Sequence, residues 1–211
     1  MKFEDRAPYP EKKILGISAS PRKNGNSDIL LNNILNGTKE KNIPVKNVHL
    51  CDYQFQPCIG CEKCRKDKIC SELNDGMQLL YPEIIESQGL ILISPTHNYN
   101  ITAWMKAFID RLYCFYIFDN NRPRGWSSRL SGQDRKAVLA AVCENESKKD
   151  MGFTIEAMRL PLEALGYEII GELAVFGIFD KGNVKADKKI LARASRLGAK
   201  LAKSILAKQS R

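Results

Sequence analysis

Four cysteines crowd into thirteen positions of this 211-residue chain. Cys58, Cys61 and Cys64 form a Cys-x2-Cys-x2-Cys run, and Cys70 follows after five intervening residues. Such a run can wrap three thiolates around a compact cube of iron and sulfide while a fourth arrives from a short loop. The spacing therefore favours an iron–sulfur cluster. Four thiolates around zinc, a redox-active pair and thiols without metal are the alternatives.

The other charged and thiol groups near this run have simpler interpretations. The neighbouring cations are expected to offset the negative charge of a cluster and to lower the thiol pKa values; they are Lys63, Arg65, Lys66 and Lys68. Cys51, Cys114 and Cys143 fit no ligand spacing and are expected to be ordinary buried thiols. An odd total of seven cysteines, four of them crowded, argues against a secreted disulfide framework.

A second candidate site begins in the stretch 13–27, which reads as a strand, a polar loop and the start of a helix. The first turn of a helix carries unpaired N–H groups and a partial positive charge. A loop of Ser, Asn and Gly can close around an anion there, and Arg22 can add a charge-assisted contact. The loop predicts phosphate binding, although neither a Walker loop nor the dinucleotide glycine fingerprint is present.

Two further polar loops follow predicted strands, at 95–100 and at 143–150. The first offers ring faces at His97 and Tyr99 and polar side chains at Asn98 and Asn100. No nucleophile–base pair or acid–base pair of carboxylates is evident in the sequence, and the adjacent Asp110 and Arg111 are expected to form a structural ion pair or cap.

The elements that must position these residues alternate strictly between strand and helix. Strands are predicted at 13–18, 45–50, 89–94, 136–142 and 167–176, and helices at 26–41, 75–87, 101–113, 153–165 and 185–208. The alternation predicts an α/β fold, a doubly wound parallel sheet of five strands with helices on both faces. In such sheets ligands bind beyond the carboxyl ends of the strands, so the three polar loops are expected to meet at one crevice.

Composition narrows the class of protein. Forty-four per cent apolar and 27% charged residues are ordinary for a globular chain. The length suits one domain over residues 1–211, with a cysteine-rich loop at 51–74 and an insertion at 114–135. No apolar run approaches the roughly 20 residues of a membrane span, and the N-terminus does not resemble a signal peptide, so we expect a cytoplasmic protein with no membrane partner.

The net charge of +9 is concentrated near the C-terminus. Nucleic-acid binding is one interpretation of this charge. The basic residues alternate at helical spacing with the apolar residues Ile190, Ala194, Leu197, Leu201 and Ile205. This pattern favours the solvated face of an amphipathic helix, so no nucleic-acid partner is expected.

Four motifs follow one another along the chain: residues 18–27, the cysteine run, residues 94–100 and residues 105–111. Over about 12–206 the chain resembles the iron–sulfur flavoproteins within the flavodoxin-like, NAD(P)H-dependent FMN reductases. The resemblance implies a flavodoxin-like sheet of strand order 2-1-3-4-5 that holds FMN. It implies that the FMN phosphate contacts Ser18, Ser20, Arg22, Asn26 and Ser27. It also implies that the flavin ring and ribityl chain contact Pro95, Thr96, His97, Asn98, Tyr99 and Asn100.

The same resemblance implies a [4Fe-4S] cluster bound by Cys58, Cys61, Cys64 and Cys70. Electrons would come from NAD(P)H or from a ferredoxin and pass between FMN and the cluster. A homodimer or homotetramer is implied, with the insertion at 114–135 covering the flavin or building the oligomer interface.

Two other functions are compatible with the residues. The first is a flavodoxin-like FMN reductase or electron carrier that lacks a cluster. The second is a regulatory binding module stabilised by zinc or by its thiols.

Overall fold

The computed structural model describes residues 6–207, and a parallel sheet forms its centre. The sheet has the strand order β2-β1-β3-β6-β7, and every neighbouring pair is parallel. β4 and β5 form a separate hairpin. When only the five strands of the sheet are numbered along the chain, β6 and β7 become the fourth and fifth, and the order is the predicted 2-1-3-4-5. The predicted fold is therefore confirmed. The strands are β1 (Glu11–Ser18), β2 (Val45–His49), β3 (Ser87–Pro95), β4 (Tyr116–Phe118), β5 (Trp126–Ser128), β6 (Arg135–Val142) and β7 (Tyr167–Val175).

Helices cover both faces of the sheet because the strand side chains alternate between two cores. Ile14, Ile91 and Val138 pack with α1 and α7 on one face. Leu15, Leu90 and Leu139 pack with α3, α4 and α6 on the other. The helices are α1 (Asn26–Thr38), α2 (Cys64–Asp67), α3 (Met77–Glu86), α4 (Ala103–Arg111), α5 (Lys148–Met151), α6 (Thr154–Ala164) and α7 (Lys188–Leu206).

Side-chain caps determine where two of the helices begin. Thr102 accepts the N–H of Met105 at 3.3 Å, so α4 starts two residues later than predicted. Asp187 accepts the N–H of Ile190 at 2.9 Å and starts α7 three residues later. The basic residues of α7 lie on its exposed side, as the amphipathic pattern predicts; they are Lys188, Lys189, Arg193, Arg196, Lys200 and Lys203.

Two predicted irregular segments contain structure. The cysteine loop includes the short helix α2, and the insertion contains the antiparallel hairpin of β4 and β5. Residues 1–5 and 208–211 of the predicted domain lie outside the described residues. Across residues 6–207, no helix has the length and apolar character needed to cross a membrane.

Candidate functional site

The carboxyl ends of the central strands surround a cleft of about 120 Å³. Loops after β1, β3, β6 and β7 all contribute to its wall, as expected for parallel strands that end at one edge. The lining residues are Pro21, Arg22, Asn26, Ser27, Pro95, Thr96, His97, Val142, Glu144, Ile178 and Phe179. The three loops predicted to converge do meet here.

The loop after β1 is held by bonds that leave the start of α1 facing the cleft. Ser20 Oγ accepts the N–H of Arg22 at 3.1 Å, and Gly25 N–H donates to the carbonyl of Arg22 at 3.1 Å. Asn26 Nδ2 donates to Asp180 O at 2.9 Å, while its Oδ1 accepts the N–H of Val184 at 3.2 Å. The first N–H groups of α1, which have no acceptor within the helix, can therefore bind an anion in the cleft.

The buried carboxylate of Asp28 supports the loop after β1 through hydrogen bonds. Asp28 accepts the hydroxyl of Ser18 and the N–H of Asn24, both at 2.7 Å. His49 Nδ1 lies 3.2 Å from Asp28 Oδ1. Ser18 is thus fully buried and turned toward Asp28, so its role is to position the loop.

The loop after β3 ends in a tight turn. His97 and Asn100 exchange both backbone hydrogen bonds, at 2.8 and 3.0 Å, and the two residues between them have positive φ. This is the pattern of a type I′ turn. The turn rests on the loop after β6, because Phe153 N–H donates to Tyr99 O at 2.8 Å. Asn98, Tyr99 and Asn100 are exposed and do not line the cleft, whereas Pro95, Thr96 and His97 do.

Thr96 is fixed from two sides. Its N–H donates to Val142 O at 2.8 Å, and its hydroxyl lies 3.1 Å from that of Thr154. These bonds join the loops after β3 and β6 at the cleft. Thr96 can therefore present a constant backbone surface to a bound ring.

The loop after β7 contributes two residues that sequence reasoning missed. Phe179 and Ile178 line the cleft, and the guanidinium of Arg22 lies 4.6 Å from the centre of the Phe179 ring. Arg22 Nη1 also donates to Phe179 O at 3.2 Å. Two apolar residues, one position beyond the end of the last predicted strand, were the available signal, since that loop lies at the ligand edge of a parallel sheet.

All four cysteines of the predicted cluster line a second cavity, of about 250 Å³. Ile59, Leu73 and Tyr113 contribute apolar surface to its wall. Its volume is about eight times the ~30 Å³ that one water occupies in the liquid, so it has room for a group larger than one metal ion. Thiolates are the usual ligands of iron–sulfur clusters, so a mostly apolar cavity lined by four cysteines fits such a group in its chemistry.

Arg111 joins the two ends of the loop that carries these thiols. Its guanidinium donates to Asp75 through Nη1 at 2.7 Å and through Nη2 at 3.0 Å. Nη1 also donates to Gln56 O at 2.8 Å, and Nε to the hydroxyl of Tyr81 at 3.2 Å. The predicted pair of Asp110 with Arg111 is therefore wrong, since Asp110 pairs with Lys106 on the solvent side of α4.

The electrostatics of the thiols also differ from the sequence prediction. Burial raises the pKa of Cys64 to about 11, and the neighbouring thiols Cys70, Cys58 and Cys61 act in the same direction. Burial therefore outweighs, at Cys64, the lowering of the pKa that was predicted from nearby cations, and carboxylates pair with two of those cations. Lys63 pairs with Glu72, and Arg65 pairs with Glu62. Binding of a metal group at Cys64 would therefore release a proton.

All seven cysteines are free thiols. Cys114 and Cys143 are buried, as expected, and Cys51 is half-buried. Within residues 6–207, no three His, Cys, Asp or Glu side chains are arranged to hold a single metal ion.

Known proteins resemble this chain in sequence and in fold. The family model for NADPH-dependent FMN reductases matches residues 12–143. An iron–sulfur flavoprotein of Archaeoglobus fulgidus is 30% identical over 93% of this chain and 81% of its own length. One from Methanocaldococcus jannaschii is 35% identical over 64% of this chain and 63% of its own length. The solved NAD(P)H:quinone oxidoreductase from Methanothermobacter marburgensis, 18% identical, has the same fold, with a TM-score of 0.62 over 90% of this chain and 98% of its own.

Proposed function

This chain belongs to the iron–sulfur flavoproteins of the NADPH-dependent FMN reductase family, and we propose that it moves electrons between FMN and a [4Fe-4S] cluster. One observation carries the proposal. The chain places a polar cleft at a helix N-terminus and a cavity lined by four cysteines in a single α/β fold. The two sites differ in chemistry, one suited to an anionic ligand and the other to a thiolate-bound one.

The residues of the cleft would bind and orient FMN. The N-terminus of α1, with Ser27 and Asn26, would bind the phosphate dianion, and Arg22 would add a positive charge. Ser18 and Ser20 would hold this loop in shape. Pro95, Thr96 and His97 would lie against the ring, and the neighbouring Asn98, Tyr99 and Asn100 would bound its exposed side.

The redox chemistry itself belongs to the bound groups: FMN exchanges electrons singly or as a hydride, and a [4Fe-4S] cluster exchanges them singly. Cys58, Cys61, Cys64 and Cys70 would hold the cluster, and the apolar wall around them would limit water access and so tune its potential. NAD(P)H or a ferredoxin would supply electrons. The protein would act in the cytoplasm as a homodimer or homotetramer.

The cofactor content of the 211-residue chain, purified without oxygen, tests the proposal. We expect about one FMN, with roughly four iron and four acid-labile sulfide per chain. Cys64→Ser should lose the iron and keep the FMN. Cys51→Ser is the matched control, because Cys51 does not line the cavity, and it should keep both. FMN without iron would leave a reductase or carrier that lacks a cluster, and zinc without FMN would contradict the proposal altogether.

A further inference from the structure

The hairpin of β4 and β5 packs against the cysteine loop. Arg65, from that loop, donates through Nη2 to Asp119 O at 3.3 Å, in the turn of the hairpin. Arg129, just after β5, donates through Nη1 to Lys68 O at 2.5 Å. Tyr113, which lines the cysteine cavity, stacks on Phe118 of β4 with ring centres 5.0 Å apart. The insertion therefore forms part of the support of the thiol cavity.

A single carboxylate lies at the centre of this contact. Glu62 stands next to Cys61 and has a positive φ of 56°. Its Oε1 accepts Nη1 of Arg124 in the hairpin turn at 3.0 Å, and its Oε2 accepts Nη1 of Arg65 at 3.2 Å. Glu62 is therefore a bridging anion between the hairpin and the first turn of α2.

Apart from these contacts, no regular secondary structure holds the chain that precedes Glu62 in place. Residues 54–62 form neither helix nor strand, and Gly60 also has a positive φ, of 70°. Fixing the backbone of such a segment costs conformational entropy. A contact that orders the segment before the ligand arrives removes part of that cost from binding.

We propose that Glu62 and Arg124 are positioning residues: their ion pair fastens the hairpin to the cysteine loop and holds Cys61 and Cys64 ready for the cluster. The identity of the ligand rests on the proposed function, whereas the contact between the hairpin and the cysteine loop does not. The insertion at 114–135 thus serves the thiol site, which the sequence did not predict.

Cluster retention and potential test the proposal in the FMN-bound, cluster-loaded protein. Glu62→Gln and Arg124→Gln should release iron to a chelator about two- to fivefold faster, the range expected for a partly exposed ion pair. Arg122→Gln is the control, since Arg122 lies in the same turn and its Nη1 donates to the carbonyl of adjacent Asn121. It should behave as wild type.

The midpoint potential separates positioning from a general loss of structure. Removing the negative charge of Glu62 should raise the potential of the cluster, whereas removing the positive charge of Arg124 should lower it. Simple loosening of the fold would move both variants in the same direction. Shifts of the same sign, or unchanged iron release in both variants, would overturn the proposal.

A second measurement needs no metal. In metal-free protein with FMN bound, we expect iodoacetamide to label Cys64 about two- to fivefold faster in Glu62→Gln and Arg124→Gln than in wild type. Equal labelling rates would overturn the positioning role. If wild-type protein contains FMN but no iron, the proposal that it binds a cluster is wrong. The labelling rates alone then decide whether the ion pair of Glu62 with Arg124 orders the loop.

Discussion

Replacing Asp75 with asparagine is expected to destabilise the protein by about 3 kcal/mol, because it leaves a buried guanidinium without its carboxylate. The side chain of Arg111 is fully buried, and that of Asp75 is 16% exposed. Breaking a buried ion pair generally costs about 3–5 kcal/mol. We take the lower end because the amide keeps one oxygen that can still accept from Arg111, and because water reaches one side of Asp75.

The loss of stability caused by Asp75→Asn should become smaller at low pH. Burial opposes ionisation of Asp75, but hydrogen bonds from Arg111 and from the N–H groups of Gln56 and Met77 outweigh it and lower the pKa. The native pKa is thus below that of the unfolded chain. The stabilisation is therefore complete above about pH 4 and is lost as the pH falls through the native pKa. The difference between wild type and Asp75→Asn should stay constant from about pH 5 to 8 and shrink below about pH 4.

Urea unfolding of the FMN-saturated proteins, followed by circular dichroism, measures the difference. A loss of about 3 kcal/mol corresponds to a melting temperature lower by roughly 6–12 °C for a domain of this size. Asp110→Asn is the matched control. Asp110 lies on the same helix as Arg111, but its ion pair with Lys106 is exposed and should contribute only about 0.3–0.5 kcal/mol. A loss below about 1 kcal/mol in Asp75→Asn, or one unchanged at low pH, would refute the assignment of Arg111 and Asp75 as a structural ion pair.

Three further substitutions and one control substitution test the support of the cleft and the sheet. Thr102→Ala removes the cap of α4 and a hydroxyl that donates to the loop after β1 at 3.0 Å, and should cost about 1–2 kcal/mol in urea unfolding. Gly152→Ala places a methyl group against the carbonyl oxygen of Tyr99 and should weaken FMN binding at least about tenfold by fluorescence titration. Gly132→Ala, also at positive φ but without a close contact, should leave FMN affinity unchanged. Arg135→Lys should cost about 3 kcal/mol in urea unfolding, because the single ammonium nitrogen of lysine cannot reproduce the planar fork by which Nη1 and Nη2 reach three backbone carbonyls near the end of α3.

Much of the fold could be predicted because its signals are local. The apolar run of β3 marks a strand buried on both faces, and the periodicity of α7 marks an amphipathic helix. Convergence of the polar loops followed from the parallel arrangement alone, since strands that run in one direction end at one edge. The spacing of the four cysteines indicated a shared site, but thirteen extended positions can span about 40 Å, so the folded loop was needed to bring the thiols to one cavity.

Contacts between distant segments were settled only by the tertiary structure. Arg111 was assigned to its neighbour in sequence, yet it pairs with Asp75, 36 residues away. The contact of Arg22 with Phe179 spans 157 residues, and that of Glu62 with Arg124 spans 62. Periodicity reports which side of an element is buried, but it does not report which other element covers it. Local patterns therefore predicted the five strands of the sheet, the main helices between them and their order along the chain. Packing alone decided which side chains close the cysteine loop and which complete the cleft.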